Sequence, residues 1–483
     1  MKQTMIVVVF IFIMLVTVFL VAVYGLSKSG KLVLLAEKHW ETYGLGGTCI
    51  PGSHNLFVAD VDGDGVMEIV TGGLMYWVVN GSRKGFEAPL KVWVWDGRNI
   101  TLNGDHKWPG VVGCVYVADA DGDGVNEILT GGAVMNETGI YGSIRVWRWD
   151  DGGLSLKAAY EGVPVGLIFV SDLDGDGKSE IITAGSLSEG SQYAGLLCLW
   201  HLEHNGLVLK KETRLANVTR VAAVYAYDLD GDGVVEIITA GYAGRLEDSR
   251  GQLCVWRWSG EDLILKADRE WQLVEGVYAL NIAGGVQGNT MVNNVKVGDV
   301  DGDGSPEIIT GGFTYDGKNV NAQLCIWSWD GESLRLETSR EWADDYLNEV
   351  KCVFLSDVDS DSRMDILTSG MVAAYGSFAN CSSTPGHAQL RVWSWDGKTL
   401  ALKYGQDWMI GDNVCAWNVA AGDLNKDGLT EIVTVGCMGI CALCDPDMRI
   451  WSVVNPPPIG LMIAAVMAVT ASVLTYFLVK KFT

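Results

Sequence analysis

Four acidic side chains recur at fixed offsets, seven times along the chain. They fall at positions 1, 3, 5 and 9 of DVDGDGVME, DADGDGVNE, DLDGDGKSE, DLDGDGVVE, DVDGDGSPE, DVDSDSRMD and DLNKDGLTE. The residues are Asp60, Asp62, Asp64 and Glu68; Asp119, Asp121, Asp123 and Glu127; Asp172, Asp174, Asp176 and Glu180; Asp228, Asp230, Asp232 and Glu236. The last three loops supply Asp299, Asp301, Asp303 and Glu307; Asp357, Asp359, Asp361 and Asp365; Asp423, Asn425, Asp427 and Glu431. Alternate oxygens converging from a tight loop form a hard shell, to which a backbone carbonyl at position 7 can add. Glycines at positions 4 and 6 supply the backbone angles that bend such a loop around an ion. Calcium fits this shell, whereas magnesium demands a smaller octahedral cage that keeps several waters. The expectation is up to seven structural Ca2+, all in a metal-ligating role with no catalytic residue among them.

The pattern is not an EF-hand, because its last acid stands at position 9 and not 12. Position 12 is a threonine in every copy: Thr71, Thr130, Thr183, Thr239, Thr310, Thr368 and Thr434. The sixth loop replaces both glycines with Ser360 and Ser362, so weaker binding is expected there, and the seventh carries Asn425 and Lys426.

Successive loops begin 53 to 71 residues apart, the span of about four strands with their turns. An apolar run precedes each loop (VYVAD, LIFVSD, VKVGD), and a Thr-x-Gly segment follows it, ending at Gly73, Gly132, Gly185, Gly241, Gly312, Gly370 and Gly436. Next come strands with alternating tryptophans, such as KVWVWDG, IRVWRWD and QLRVWSW, and then a fourth run such as LILKADREW. Period-2 alternation and Asp-Gly turns predict antiparallel hairpins, with the tryptophans packed against a neighbouring repeat. The seventh repeat lacks its fourth strand, but LVLLAEKHW at 32–40 matches LILKADREW at 263–271 position for position. The N-terminal strand therefore completes the last repeat, and a closed ring exposes no sheet edge. The expected fold is all-β, a seven-bladed propeller of four-stranded blades flanked by two transmembrane helices.

Across residues 31–455 the chain resembles FG-GAP or VCBS repeat proteins, and in style the integrin alpha-subunit N-terminal β-propeller. The DxDxDGxxE loops with their following glycine carry the likeness. The resemblance implies cell-surface adhesion or ligand binding. The alternative is an extracellular carbohydrate-active enzyme, a polysaccharide lyase or hydrolase, on the same scaffold. No HExxH, GxSxG or phosphate-loop motif supports an enzyme.

Residues 4–25 and 459–479 are apolar runs long enough to cross a bilayer. They are read as transmembrane segments flanking an extracellular propeller at 26–455, with cytoplasmic tails at 1–3 and 480–483 and a proline linker at 456–458. A cleaved signal peptide is the alternative for the first run. The positive-inside tendency puts Lys2, Lys480 and Lys481 in the cytoplasm and the propeller outside the plasma membrane. Following the chain from those spans places the acidic loops on the membrane side and a ligand-binding face distal to it. Sequons at Asn80, Asn99, Asn136, Asn217 and Asn380 agree with an exterior location. A net charge of −24, or −10 with seven calcium ions bound, argues against nucleic acid as a partner and leaves an extracellular protein or glycan. Cys49, Cys381, Cys415, Cys437, Cys441 and Cys444 cluster in neighbouring rim segments and read as disulfide partners, with zinc at CMGICALC or unpaired thiols as alternatives. Cys114, Cys198, Cys254, Cys325 and Cys352 fall within strands and read as core residues.

Overall fold

The computed structural model describes residues 30–40, 54–79, 82–150, 153–189, 192–215, 218, 220–245, 249–272, 281–282, 285–286, 290–316, 319–343, 347–373, 386–409, 414–440 and 443–454. Their regular structure is β-strand, gathered into six antiparallel sheets of four or more strands. One sheet has eight strands, because a single long strand, Ile100–Ala118, serves two units and a further strand, Met75–Val79, pairs with Ser82–Trp95. Its first half pairs with Ser82–Trp95 and its second with Glu127–Asn136. The six sheets thus carry seven four-stranded blades. Leu34–Ser452 forms one compact unit that contains these strands apart from the ends of Lys31–His39 and Leu443–Val454.

Blade one opens with Leu56–Ala59 and Glu68–Gly72, and blade two closes with Gly139–Asp150 and Gly153–Glu161. Blades three to six run Leu167–Leu215, Arg220–Trp271, Thr290–Trp342 and Leu347–Trp408. Blade seven has Val414–Gly422, Glu431–Ile440 and Leu443–Val454, and its fourth strand is Lys31–His39 from the other end of the chain. That strand is held by an ion pair from Arg449 to Glu37 (3.3 Å) and by a contact of the His39 ring Nδ1 with Asp447 (3.3 Å). First strands touch in chain order, and the first strand of blade seven touches that of blade one, which closes a propeller-like ring.

Blades hold one another through tryptophan. The first Trp of each third strand donates its indole N–H to the position-12 threonine of the adjoining second strand. The pairs are Trp93–Thr71, Trp147–Thr130, Trp200–Thr183, Trp256–Thr239, Trp327–Thr310, Trp393–Thr368 and Trp451–Thr434, all at 2.9–3.1 Å and buried. Six of these rings then pack on an aromatic ring of the preceding blade, and Trp256 packs in a cluster with Leu199 and Leu215 of blade three. Trp40 meets Trp93, Trp108 meets Trp147, Tyr160 meets Trp200, Trp271 meets Trp327, Trp342 meets Trp393 and Trp408 meets Trp451, at 4.8–5.1 Å between centroids. The expectation that these tryptophans pack between repeats is met. Near the ring axis, Phe57, Tyr116, Phe169 and Tyr225 stack in succession at 4.6–5.2 Å, and the Lys296 ammonium lies 5.2 Å from the Tyr225 ring.

The Thr-x-Gly glycine has a steric cause. In blades two, four, five, six and seven the first strand shifts register where it faces this glycine, as at Val221/Ala223 and Ala416/Asn418, and presses a carbonyl against its Cα. A Cβ on Gly241 would stand 1.9 Å from the Arg220 oxygen, and one on Gly436 1.8 Å from the Cys415 oxygen.

The flanking transmembrane helices are not part of this fold. Among the described residues no helix is long and apolar enough to cross a membrane, and backbone hydrogen bonds are satisfied in sheets. The runs 4–25 and 459–479, from which the two spans and a membrane partner were read, lie outside the described residues. A membrane-facing orientation of the acidic loops loses its footing with them.

Replacing Thr183 by valine keeps the shape and leaves the Trp200 indole N–H buried without its acceptor. The expected cost is about 1–3 kcal/mol, read as a lower denaturant midpoint, with Thr183→Ser recovering most of it.

Candidate metal loops and a cleft on the opposite rim

Each acidic loop joins the first and second strands of its blade. In loop one, Asp60 accepts the N–H groups of Gly63 (2.7 Å) and Gly65 (2.8 Å), Asp62 that of Asp64 (3.1 Å), and Asp64 that of Val66 (2.6 Å). The position-9 acid is buried at the start of the second strand and accepts the position-2 N–H, as from Val61 to Glu68 Oε2 at 2.9 Å. The bond recurs in Glu127, Glu180, Glu236, Glu307, Asp365 and Glu431 at 2.8–3.2 Å. In the first four loops the acids at positions 1, 3 and 9 bring ligand atoms within 4.8 Å of one another, and in the fifth those at positions 1, 3 and 5 do so. These clusters can hold a metal ion, and an all-oxygen donor set is compatible with calcium.

Burial raises the position-9 carboxyl in every loop. Glu68, Glu307 and Glu431 are pushed up to about 7, chiefly by burial and further by the acids of their own loops. Asp365 reaches about 6, because Lys403 offsets part of its burial. In blade two the Lys157 ammonium reaches Asp121 Oδ2 (2.5 Å) and Glu127 Oε1 (2.7 Å), and Arg148 reaches Asp123 Oδ2 (2.9 Å). In blade four Arg257 holds both Asp232 Oδ2 and Glu236 Oε1 at 2.7 Å. In blade six Lys403 touches Asp359 (2.6 Å), Asp361 (3.0 Å) and Asp365 (2.9 Å). Sequence reasoning missed these cations, although two signals were present: an arginine between two tryptophans (WRW), and a lysine after L-x-L in the fourth strand.

The sixth loop keeps the shape of the others at a cost. Ser360 (φ 59°) and Ser362 (φ 66°) take the left-handed conformation that glycine occupies elsewhere, as at Gly63 (φ 75°).

The strand ends away from the loops form the opposite rim. There a cleft of about 760 Å³ spans blades two to four, with Ile140, Tyr141, Tyr193, Arg220 and Tyr242 in its walls. Ile140, Tyr141 and Tyr193 are among the large apolar side chains that remain exposed. His54 is occupied elsewhere: its Nε2 lies 2.9 Å from the Ala222 carbonyl, and burial lowers it to about 4. Cys114, Cys198, Cys254, Cys325 and Cys352 are unbridged and buried, as core residues should be. Of the expected disulfide group, Cys415 and Cys437 face each other across paired strands, while Cys49, Cys381 and Cys441 lie outside the described residues.

Residues 172–239 match the FG-GAP-like repeat family. That stretch runs from the third acidic loop to the position-12 threonine of the fourth. No curated protein matches the chain by sequence. Similar solved structures include a protein from Lactobacillus plantarum (11% identity, TM-score 0.41, covering 72% of this chain and 87% of that one). A rhamnogalacturonan lyase from Bacillus licheniformis (14%, 0.34, 83% and 76%) and Sqt1 from Chaetomium thermophilum (12%, 0.44, 88% and 100%) also align. Likenesses this distant carry no argument here.

Two outcomes follow from the loops. With metal chelated, the folded state keeps protons on Glu68, Glu307 and Glu431 that the unfolded chain releases above its own carboxyl pKa, so these groups lower stability progressively as pH rises from about 4.5 to about 7. Asp123 and Asp232, whose pKa values are lowered, act below that window. Thermal melts in EDTA should therefore fall across it, and added calcium should restore stability most at its alkaline end. Separately, Ser360→Gly and Ser362→Gly should each raise stability by about 0.5–1 kcal/mol in denaturant titrations, by relieving left-handed strain.

Proposed function

We infer, taking this chain as a protein of FG-GAP-like repeats on a propeller, that it is an extracellular binding module stapled by calcium. Its ligand surface is the rim opposite the acidic loops. The observation that carries this reading is the cleft over blades two to four, where exposed Tyr141 and Tyr193 flank Arg220 and Tyr242. Tyrosine supplies large contact area at low entropic cost, and arginine forms a planar fork for carboxylates. Such walls suit a protein or glycan ligand bearing an acidic group.

The loops serve the scaffold in this reading. They join the two strands nearest the ring axis, and the acids they bury are costly until a cation neutralises them. Calcium at extracellular concentrations fills even weak oxygen sites. The exposed sequon residues Asn99 and Asn136 agree with that location.

The full chain, kept in calcium and probed against protein and glycan arrays, should retain at least one acidic ligand. Tyr193→Ala and Arg220→Ala should each weaken that binding about tenfold or more. Glu68→Gln should lower the melting temperature while affinity in saturating calcium stays at the wild-type value. Binding untouched by both cleft substitutions, or lost in Glu68→Gln without a change in melting temperature, would sink the assignment.

A further inference from the structure

The seven loops share one ligand pattern, yet they differ in what already stands beside it. We propose that they are of two interleaved kinds: the loops of blades one, three, five and seven take a divalent cation, whereas those of blades two, four and six are closed by a lysine or arginine of the same blade and take none. This rests on the reading of the acidic loops as calcium staples and assigns which of them act so.

The argument begins with space. Calcium needs its oxygens at about 2.3–2.6 Å. In blade six the Lys403 Nζ already sits 2.6–3.0 Å from one oxygen each of the acids at positions 3, 5 and 9. An ion gathering the same three oxygens would share its shell with an ammonium. At such separations the repulsion between like charges is not screened by water. In blade two Lys157 bridges positions 3 and 9 while Arg148 takes position 5. In blade four the Arg257 guanidinium claims the Glu236 Oε1 through both Nε (3.0 Å) and Nη2 (2.7 Å), and Asp232 as well.

The basic residues occupy two repeat positions. Arg148 and Arg257 lie between the two tryptophans of the third strand, and Lys157 and Lys403 follow L-x-L in the fourth. At the same two positions blade one has Val94 and Asn103, blade five Ser328 and Glu337, and blade seven Ser452 and Leu35. None of these six residues is cationic. Blade three is the intermediate case. Its lysine, Lys210, turns away to Glu203 (2.7 Å), and its third-strand residue is His201, with Nε2 2.8 Å from Glu180 Oε1. An imidazole, unlike an ammonium or a guanidinium, is itself a common metal ligand. Blade three therefore belongs with the metal loops.

Counting ions tests the assignment. Calcium-stripped full-length protein, titrated with calcium by calorimetry or equilibrium dialysis, should bind four ions per chain. Glu68→Gln in blade one should lower the count to three, and Glu127→Gln in blade two should leave it at four. Lys403→Met frees the sixth loop and should raise it to five. Seven ions on the wild type, or one lost in Glu127→Gln, would overturn the division while leaving calcium stapling intact. No bound calcium at all would overturn both. The wild-type, Glu68→Gln and Glu127→Gln counts decide the matter even where Lys403→Met fails to fold.

Discussion

A carboxylate buried at the start of every second strand has to be neutralised, and each blade is arranged around that need. Seen from Glu180, the chain of dependence is short. Its Oε2 accepts the Leu173 N–H, which fixes the loop to the strand. Three residues on, Thr183 takes the Trp200 indole. Trp200 in turn packs against Tyr160 of the preceding blade. Charge at the loop, alignment of the strand and contact between blades are thus consecutive steps along a few residues. An unpaired charge at the first step is costly in a medium that solvates it poorly.

Much of this was legible before any coordinates. The repeat count, the four-strand grammar and the match of 32–40 to 263–271 lead to a closed ring because a strand missing at one end is present at the other. The blade-seven sheet contains that strand. Tryptophans at i and i+2 share a face by strand geometry alone, so their role between blades could be read from spacing. The threonine at position 12 was visible in all seven copies, but its partner was not. A hydrogen bond across 17 residues or more depends on strand register, which local pattern does not specify.

Other features were illegible for different reasons. Apolar runs at the two ends report hydropathy and not conformation, and the architecture described here is made of strands throughout. The acidic motifs set apart only the sixth loop, by its two serines, because the motif contains the ligands and turn residues alone. What separates the loops lies 20 to 40 residues away, on the third and fourth strands of the same sheet, where Arg257 and Lys403 point back at Glu236 and Asp365. A ligand motif describes the negative half of a site, and the positive half has to be sought elsewhere in the repeat.

The same repeat explains why the two rims differ in chemistry. At the loop rim every blade carries nearly identical acids, and in blades two, four and six a lysine or arginine of the same blade pairs with them. At the other rim the Thr-x-Gly glycines Gly132, Gly241, Gly312, Gly370 and Gly436 admit carbonyls from the first strand to within contact of their Cα atoms, where a Cβ would clash. Backbone therefore forms much of that surface: Gly132, Gly142, Gly166 and Gly185 all line the cleft over blades two to four. Large side chains stand in its walls, at Ile140, Tyr141, Tyr193, Arg220 and Tyr242. In the proposed binding role, a floor held by the ring, with walls contributed by a few large side chains, would let ligand preference change by substitution at the walls while the floor stays fixed. The acidic loops have no such freedom, because each is tied to the strand that carries its blade.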